Sequence, residues 1–342
     1  MEKIIFRADG NSKIGLGHFY RALALAAMLK NHFYCVFAIA TPEEFIKQQV
    51  LDLGLGIIEL PAIQYSLPDN KGSEDEVKFD LYEYLSGNEI VVLDGYWFGE
   101  NYQAEVKKKC RFLFYIDDQL KPNYNADAII NHAPGVNTNN YIVSKNTRLY
   151  LGLDYLLLRP EFYSKKSGSA LNKSVFISLG GSDAYSLTLP LIKLVNEYLP
   201  EGEINILVTS AFKAVDIDSI YELSGKYLNI KVHENLSAGK LVNIIDRSSH
   251  CVVASSTVLL ECFARGRKAF SGYYVSNQMN IFEGMLNSGF IYGAGNFLEM
   301  DSQMKVKLAA YLYNNYHIFD NLPIYGVDER YIKIFKEAYR NN

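Results

Sequence analysis

The chain opens with Ile4-Ile5-Phe6-Arg7-Ala8-Asp9-Gly10-Asn11-Ser12-Lys13-Ile14-Gly15-Leu16-Gly17-His18, where an apolar run gives way to a glycine-rich polar segment. The apolar run from Ile4 to Phe6 predicts a buried strand, and the polar residues up to Gly17 predict a loop. Beyond the loop, Ala22, Leu25, Ala26 and Leu29 recur at the spacing of one apolar helix face. We therefore expect a strand, a glycine loop and then a helix that begins near His18.

The first turn of this predicted helix carries His18 and Arg21. A helix N-terminus has a positive partial charge and unpaired backbone N–H groups, so it disfavours cations and attracts anions. A histidine there is expected to be neutral near pH 7 and able to act as a base. We therefore predict a base, His18, beside an anion site that includes Gly15, Gly17 and Arg21. The alternative is a plain tight turn followed by a surface histidine.

The same loop lacks the patterns of two common nucleotide sites. Tyr20 stands where the dinucleotide-binding pattern G-x-G-x-x-G requires a third glycine or another small residue. The Gly-Lys-Ser/Thr ending of the phosphate loop is absent as well. The sequence therefore predicts no nicotinamide or flavin cofactor.

The composition is that of a globular protein with more than one domain. The 342 residues are 49% hydrophobic and 21% charged, which is sufficient for two domains with ordinary cores. The net charge of −4 argues against a general nucleic-acid binder, because such proteins neutralise phosphates. The 26 tyrosines suit carbohydrate or nucleotide surfaces, but they equally suit half-buried positions.

Cysteine and histidine spacing predicts neither disulfides nor a metal site. The four cysteines are scattered among apolar neighbours, as buried reduced thiols are, and the six histidines show no ligand spacing. The adjacent Asp117 and Asp118 are expected to point to opposite faces of a strand and so not to share an ion. The first strand follows Met1 directly, and no apolar run reaches about 18 residues. We therefore predict a soluble, cytoplasmic protein without a metal.

Two successive series of strands and helices run along the chain. The first has strand-like runs at 3–8, 34–39, 57–60, 89–93, 112–116 and 127–130, with helices from about 18, 42, 74 and 99. The second follows a polar gap at Lys165–Ser169, with strands at 175–179, 204–208, 230–232, 251–254 and 268–271 and helices near 184, 216, 237, 256 and 277. We predict an α/β protein of two Rossmann-like domains, 1–166 and 167–342, that face each other across a ligand cleft. The last helix is a candidate to pack back on the first domain.

Polar residues follow the predicted strands of the second domain. Gly180-Gly181-Ser182 lets backbone N–H groups approach an anion, although a plain glycine turn is an equal alternative. Ser255-Ser256-Thr257 can cap the next helix and bind phosphate oxygens. Glu261, about one turn beyond Thr257, can accept hydrogen bonds from two ribose hydroxyls. Asn277-Gln278 opens another helix with amide groups for polar ligand edges.

Together these motifs resemble the UDP-sugar hydrolases of pseudaminic acid biosynthesis. The likeness rests on Arg7-Ala8-Asp9, Ile14-Gly15-Leu16-Gly17-His18 with Arg21, Asp94-Gly95-Tyr96, Ile116-Asp117-Asp118, Leu157-Leu158-Arg159-Pro160-Glu161-Phe162, Gly180-Gly181-Ser182-Asp183, Ser255-Ser256-Thr257 with Glu261, and Asn277-Gln278. It covers nearly the whole chain. The first motif and the Leu-Leu-Arg-Pro-Glu-Phe motif are specific, whereas the glycine turn and the Ser-Thr…Glu motif are shared with MurG-like glycosyltransferases.

The resemblance implies a glycosyltransferase-B (GT-B) fold and release of UDP from a UDP-2,4-diacetamido-2,4,6-trideoxyhexose, without metal or cofactor. Water would attack the anomeric carbon with inversion. His18 matches the family's proposed general base, and Tyr96 matches a tyrosine that positions the sugar or the water. Either Asp9 or Asp94 would orient His18 or bind the sugar, and spacing does not choose between them. Gly95 stands where the family often has asparagine, so an amide near the sugar is lost.

Two other classes of function remain open. A MurG-like glycosyltransferase would use the same nucleotide site with an acceptor hydroxyl in place of water, and it would usually carry a membrane-docking patch. The short run Lys107-Lys108-Lys109 is instead typical of a solvated helix end. A non-catalytic UDP-sugar binder would not require His18. The expected partner is a small-molecule UDP-sugar, with neither nucleic acid nor stable membrane insertion.

Overall fold

The computed structural model describes residues 1–11, 14, 16–63, 78–120, 122–164, 173–180, 183–209, 212–314, 319, 322 and 324–340. The chain forms an N-terminal unit, residues 1–160 and 324–342, and a C-terminal unit, residues 161–323. The chain passes from the N-terminal to the C-terminal unit between residues 160 and 161, before the expected boundary at 166/167. Arg265 accounts for part of this difference, because its Nη1 donates to the carbonyls of Phe162 at 3.1 Å and Ser164 at 2.6 Å.

The described residues form strands and α-helices in alternation. The strands are β1 (Lys3–Ala8), β2 (Tyr34–Ala40), β3 (Gly56–Leu60), β4 (Ile90–Asp94), β5 (Phe112–Ile116), β6 (Ala128–Asn131), β7 (Arg148–Leu151), β8 (Ser174–Ser178), β9 (Glu203–Val208), β10 (Ile230–Glu234), β11 (His250–Ala254), β12 (Phe270–Tyr273) and β13 (Tyr292–Asn296). The helices are α1 (Gly17–Leu29), α2 (Glu44–Asp52), α3 (Glu100–Lys109), α4 (Thr188–Tyr198), α5 (Ala214–Lys226), α6 (Ala238–Arg247), α7 (Thr257–Ala264), α8 (Met279–Asn287), α9 (Ser302–Tyr313) and α10 (Val327–Arg340). Within the described ranges, no helix is both long and apolar enough to cross a membrane.

The N-terminal unit is built on a seven-stranded parallel sheet in the order β3-β2-β1-β4-β5-β6-β7. Every residue of β4 and β5 is buried, which explains why these strands are continuous apolar runs in the sequence. The edge strand β7 is only half-buried along its length, and the sequence pattern did not predict it. The helix predicted near residue 74 lies outside the described residues.

Four neighbouring strands of this sheet end at the same level. Ala8 at the end of β1 lies opposite Asp94 at the end of β4, and Asp94 lies opposite Ile116 at the end of β5. Ile116 in turn lies opposite Ile130 in β6. The residues that follow these positions therefore gather at one edge of the sheet, where parallel α/β sheets bind their ligands.

The C-terminal unit has a six-stranded parallel sheet in the order β10-β9-β8-β11-β12-β13. Its core is apolar and includes residues of β8, β9, β11 and α4, with α9 packed into the same cluster. Because β8 lies next to β11, the turn after β8 and the start of α7 meet at the carboxyl edge. The sequence pattern predicted neither β13, which contains two glycines, nor α9.

The helix expected near residue 184 begins later than the sequence suggested. The side chain of Asp183 accepts hydrogen bonds from the backbone N–H groups of Leu187 at 2.8 Å and Thr188 at 2.6 Å, and α4 starts at Thr188. Ser186, just before it, has a positive φ of 56°. A carboxylate at this place satisfies the first N–H groups of the helix. The N-terminus of α4 is thus capped by the protein itself.

The last helix, α10, belongs to the N-terminal unit. The ring of Phe335 stacks on Phe114 of β5 at a centroid distance of 4.2 Å and an interplanar angle of 11°. The hydroxyl of Tyr331 donates to the carbonyl of Tyr155 at 2.6 Å. Phe114, Tyr331 and Phe335 are buried, so α10 covers one face of the N-terminal sheet.

Candidate active site

His18 and Asp94 form a buried hydrogen-bonded pair in the N-terminal unit. His18 is on the first turn of α1 and Asp94 ends β4, and Nδ1 of His18 lies 2.7 Å from Oδ1 of Asp94. His18 is 5% exposed and Asp94 is fully buried. Because an ionised carboxylate only accepts hydrogen bonds, Nδ1 carries the proton of the neutral imidazole and Nε2 keeps its lone pair. Asp94, and not Asp9, is the carboxylate in contact with His18.

The neighbours of Asp94 keep it in the charged form. Burial by itself raises the pKa of this carboxyl, but the charge of Arg21 and the hydrogen bonds from His18 and Arg21 lower it overall. Arg21 donates from Nε to Oδ2 at 3.0 Å and from Nη2 to Oδ1 at 2.6 Å. His18 therefore has a permanent anion beside Nδ1.

Arg21 binds two carboxylates at once. In addition to Asp94, its Nη1 donates to Oδ2 of Asp118 at 2.6 Å. Its Nη2 also lies 3.0 Å from Nδ1 of His18, but both nitrogens carry protons in this arrangement, so Nη2 donates to the closer carboxylate. The sequence pattern suggested that Arg21 contacts the substrate. In the structure its guanidinium ties β4 and the loop after β5 to α1, and its contact with the substrate stays a prediction.

Tyr96 lies against His18. The two rings meet edge to face at a centroid distance of 4.4 Å, and the Tyr96 hydroxyl lies 3.4 Å from Oδ2 of Asp118. Trp97 contacts the same imidazole at 5.5 Å. Burial and the charge of Asp118 raise the pKa of Tyr96 to about 12, so the phenol is neutral near pH 7. Tyr96 remains 40% exposed and can reach a ligand that approaches His18.

Gly95 is required by the two aromatic rings that follow it. A Cβ atom at this position would lie 2.8 Å from the Trp97 ring and 2.9 Å from the Phe98 ring. Both distances are too short for carbon atoms, so a larger residue must move the rings. Packing against these two rings therefore favours glycine at position 95.

Asp9 belongs to a separate buried network. Its Oδ1 lies 2.6 Å from Nη1 of Arg7 and accepts a hydrogen bond from the backbone N–H of Ala40 at 2.8 Å. Arg7 also donates to Asp80 at 2.9 Å. Burial opposes the charge of Arg7, but Asp9 and Asp80 raise its pKa overall. No described residue partners Oδ2 of Asp9. A direct role for Asp9 in the reaction stays a prediction.

The neighbours Asp117 and Asp118 point in different directions. Asp117 is buried and accepts a hydrogen bond from the hydroxyl of Tyr141 at 2.8 Å, whereas Asp118 binds Arg21 on the α1 side of the sheet. Sequence reasoning considered Asp118 as a metal ligand and as part of the Ile116-Asp117-Asp118 motif, but it did not place Asp118 beside His18. Its position two residues beyond the paired Ile116 is the signal that would have found it, and His132 lies two residues beyond Ile130, the partner of Ile116 in β6. Across the described ranges, no three His, Cys, Asp or Glu side chains are grouped to hold a metal ion.

In the C-terminal unit, Gly180 and Ser256 come together at the ends of β8 and β11. Gly180 has a φ of +100°, and a Cβ atom there would lie 3.4 Å from Oγ of Ser256. Ser256 is the N-cap of α7 and makes no side-chain cap hydrogen bond. The first N–H groups of α7 therefore have no side-chain cap from Ser256, unlike those of α4. Gly181 and Ser182, the rest of the predicted turn, lie outside the described residues, as does Gly15.

The residues predicted around α7 have different environments. Ser255 is buried and its Oγ lies 2.9 Å from Oγ of Ser271, so this hydroxyl faces the sheet. Thr257 is exposed. Glu261 is only 6% exposed, so it is not an ordinary solvent-exposed helix glutamate. A carboxylate that is buried to this extent is usually paired with a cation or with hydrogen-bond donors.

Gln278 fixes the loop after β12. Its Oε1 accepts a hydrogen bond from the backbone N–H of Tyr274 at 3.0 Å, and the Tyr274 hydroxyl donates to the carbonyl of Leu179 at 2.8 Å. The loop after β12 is thereby joined to the end of β8. Nothing is described of the Asn277 side chain, so its predicted contact with a ligand stays a prediction.

Comparison with known sequences gives three relatives over most of the chain. A Methanocaldococcus jannaschii protein of uncharacterised function is 27% identical over 247 residues, which are 68% of this chain and 48% of that protein. The Campylobacter jejuni UDP-2,4-diacetamido-2,4,6-trideoxy-beta-L-altropyranose hydrolase is 25% identical over 298 residues, 84% of this chain and 97% of the hydrolase. The predicted resemblance is confirmed. The Bacillus subtilis spore coat polysaccharide biosynthesis protein SpsG is 22% identical over 266 residues, 76% of this chain and 74% of SpsG.

The alignment thus spans about half the length of the Methanocaldococcus protein, against nearly all of the Campylobacter hydrolase. No protein-family model matches the chain.

Solved structures identify the fold. MurG of Acinetobacter baumannii superposes with a TM-score of 0.59 at 12% identity, covering 97% of this chain and 95% of MurG. A putative UDP-N-acetylglucosamine 2-epimerase of Listeria monocytogenes superposes with a TM-score of 0.58 at 13% identity, covering 100% and 97%. The fold is GT-B. The two parallel sheets of seven and six strands agree with the predicted architecture.

Proposed function

We propose that this protein is a metal-independent hydrolase that releases UDP from a UDP-2,4-diacetamido-2,4,6-trideoxyhexose. The observation that carries the proposal is the His18–Asp94 pair, because it gives a nitrogen lone pair at the carboxyl edge of the N-terminal sheet. The Campylobacter hydrolase, which is named for a reaction of this kind, aligns with 84% of the chain. Both observations support nucleotide-sugar processing as the activity of this protein.

The N-terminal unit would supply the base. Nε2 of His18 takes a proton from a water molecule as the water oxygen forms a bond to the anomeric carbon. The bond from that carbon to the diphosphate oxygen breaks, and UDP leaves with the electron pair. Asp94 stabilises the imidazolium that forms and keeps Nδ1 protonated, so that Nε2 is the nitrogen that accepts. Attack from the face opposite UDP inverts the anomeric centre.

The C-terminal unit would hold the nucleotide. The first N–H groups of α7, beside Gly180 and Ser256, are suited to the diphosphate, whose negative charge grows as the bond breaks. The buried carboxylate of Glu261, one turn further along α7, would accept hydrogen bonds from the ribose hydroxyls. Asp183 caps α4, so α4 contributes less to the diphosphate than the sequence suggested.

A glycosyltransferase is the second candidate, because the fold is shared with MurG. In that reaction a hydroxyl of a second substrate, instead of water, would lose its proton to His18. The nucleotide site would be the same. The two candidates therefore differ in one reactant only.

Incubation of the purified protein with the UDP-sugar in ¹⁸O-labelled water, without any acceptor, distinguishes them. Hydrolysis at the anomeric carbon places the label on the free sugar and leaves UDP unlabelled, and NMR of the first product shows the inverted anomer. Label in UDP would show attack at phosphorus and contradict the proposed mechanism. UDP release that occurs only after addition of an acceptor, with the sugar joined to that acceptor, would establish the transferase.

A further inference from the structure

His132 lies on the same face of the N-terminal sheet as His18 and Arg21. Ile116 in β5 is paired with Ile130 in β6, and Asp118 and His132 each follow two residues later. Side chains two residues apart in an extended chain point to the same face. Asp118 binds Arg21 of α1, so His132, at the equivalent place on the next strand, is directed to the α1 side as well.

The proton of His132 has a fixed position. The backbone N–H of Leu157 donates to Nδ1 of His132 at 2.9 Å, so Nδ1 must be the unprotonated nitrogen. In a neutral imidazole the other nitrogen, Nε2, then carries the hydrogen. Burial and the charge of Arg21 lower the pKa of His132 to about 4, which keeps the ring neutral near pH 7. His132 is therefore a neutral donor with a defined tautomer.

Several side-chain donors at this edge of the sheet are engaged within the protein. Nδ1 of His18 donates to Asp94, and the guanidinium of Arg21 donates to Asp94 and Asp118. The hydroxyl of Tyr96 is directed to Asp118. By contrast, among the residues that the structure describes, His132 has no hydrogen-bond partner other than Leu157. The Nε2–H group of His132 is thus a donor at this edge that a ligand can engage.

We propose that the Nε2–H of His132 donates a hydrogen bond to an acetamido carbonyl oxygen of the sugar. A carbonyl oxygen only accepts hydrogen bonds, so the carboxylates of Asp94 and Asp118 cannot bind it. A sugar hydroxyl, in contrast, can donate to the partly exposed carboxylate of Asp118. This inference rests on the proposed function and adds a residue that selects N-acylated sugars.

Two substitutions separate this role from a purely structural one. In His132→Asn the side-chain oxygen can replace Nδ1 as the acceptor for Leu157, but the donor at the Nε2 position is lost. In His132→Gln the amide nitrogen can replace Nε2 as the donor, but the acceptor for Leu157 is lost. A sugar-binding role predicts that His132→Asn lowers kcat/KM for the UDP-diacetamido sugar by about 10-fold or more, mostly through KM. His132→Gln should keep most of the activity and have a lower Tm, and both variants should bind UDP alone as the wild type does.

The opposite order, with His132→Asn as active as the wild type and His132→Gln impaired, would overturn the inference. A measurement on the wild type does not depend on the folding of either variant. The imidazole ¹H–¹⁵N signal of His132 should shift on saturation with the UDP-sugar and stay in place with UDP. An unchanged signal would also overturn the inference. Wild-type protein that releases no UDP without an acceptor would instead contradict the proposed hydrolase, a result that the same assay reports separately.

Discussion

Oδ1 of Asp94 lies 2.7 Å from Nδ1 of His18, and Asp94 itself lies opposite Ala8, the last residue of the strand that leads into the His18 loop. The proposed base and the carboxylate that orients it are therefore positioned by one pair of hydrogen-bonded strands. The pair is fully enclosed on the carboxylate side, because Asp94 is 0% exposed. A rigid support of this kind keeps a catalytic ring in one orientation.

Loss of the base should remove turnover but not nucleotide binding. His18→Ala is expected to lower kcat by about two orders of magnitude or more, because general-base catalysis contributes about 10²–10⁴-fold. UDP affinity, measured by calorimetry, should stay at the wild-type value, since the proposed nucleotide site is on the C-terminal unit. Full turnover in a folded His18→Ala protein would remove His18 from the mechanism.

Asp94→Asn keeps the shape of the side chain but removes the charge that holds the His18 tautomer. We expect kcat to fall by at least about 10-fold, and the double variant with His18→Ala to be little worse than His18→Ala alone. Asp118→Asn is the matched control, since it removes the other carboxylate of Arg21 without touching His18. Equal losses for Asp94→Asn and Asp118→Asn would show that the contact with His18 has no particular importance.

Gly95→Ala should destabilise the N-terminal unit. The added Cβ atom meets the Trp97 and Phe98 rings at 2.8 and 2.9 Å, and such overpacking typically costs about 1–3 kcal/mol. Gly17→Ala is the control in the same unit, because no atom of the described residues lies within 4 Å of the Cβ position there. Thermal unfolding should therefore show a lower Tm for Gly95→Ala only. An unchanged Tm would mean that the two rings move aside without cost.

Glu261→Ala should weaken UDP binding by about 1–3 kcal/mol, because ribose hydroxyls would lose a buried acceptor. Glu283→Ala removes an exposed glutamate from α8 of the same unit and should leave the affinity unchanged. Calorimetric titration with UDP measures both. If Glu261→Ala binds UDP as tightly as the wild type, the ribose must be held elsewhere.

His132 should make the protein less stable in mild acid. Its pKa is lowered from 6.5 to about 4 in the folded state, so the unfolded chain binds a proton between these values that the folded chain does not. The free energy of unfolding therefore falls as the pH is lowered from 6.5 to 4, with an upper limit of about 3 kcal/mol from this group. The pKa values of His233 and His250 are lowered as well, so part of the slope belongs to them.

Denaturant unfolding of the wild type and of His132→Asn at pH 7 and pH 4.5 measures this contribution. The difference in stability between the two pH values should be smaller in His132→Asn. Identical pH dependence in the two proteins would show that His132 is protonated equally in the folded and unfolded states.

The sequence predicted the architecture well where strands are buried on both faces. The runs at 112–116 and 251–254 are continuous and apolar because helices cover both sides of the sheet, and they coincide with β5 and β11 to within one residue. The pattern failed at β7 and β13. The first is a half-buried edge strand and the second contains two glycines, so neither has an apolar run to detect.

The sequence named several residues of the candidate site, but it did not predict which of them are in contact. The glycine loop predicted His18 and the family resemblance implied Tyr96, but spacing could not choose between Asp9 and Asp94. That choice depends on side-chain direction at the ends of β1 and β4, where Asp9 turns to Arg7 and Asp94 turns to α1. The grouping of Asp118 and His132 with His18 depends on strand order, which places β4, β5 and β6 side by side.

The position of α10 has a consequence for how the molecule is made. The N-terminal sheet is complete in sequence at Leu151, but the helix that covers Phe114 begins only at Val327. During synthesis, the Phe114 side of the N-terminal sheet stays exposed until the second unit and then α10 have been translated. The first unit is a discontinuous domain, because residues 324–342 follow the second unit in the chain. A fragment that ends at Pro160 therefore lacks α10 and leaves the Phe114 surface exposed to solvent.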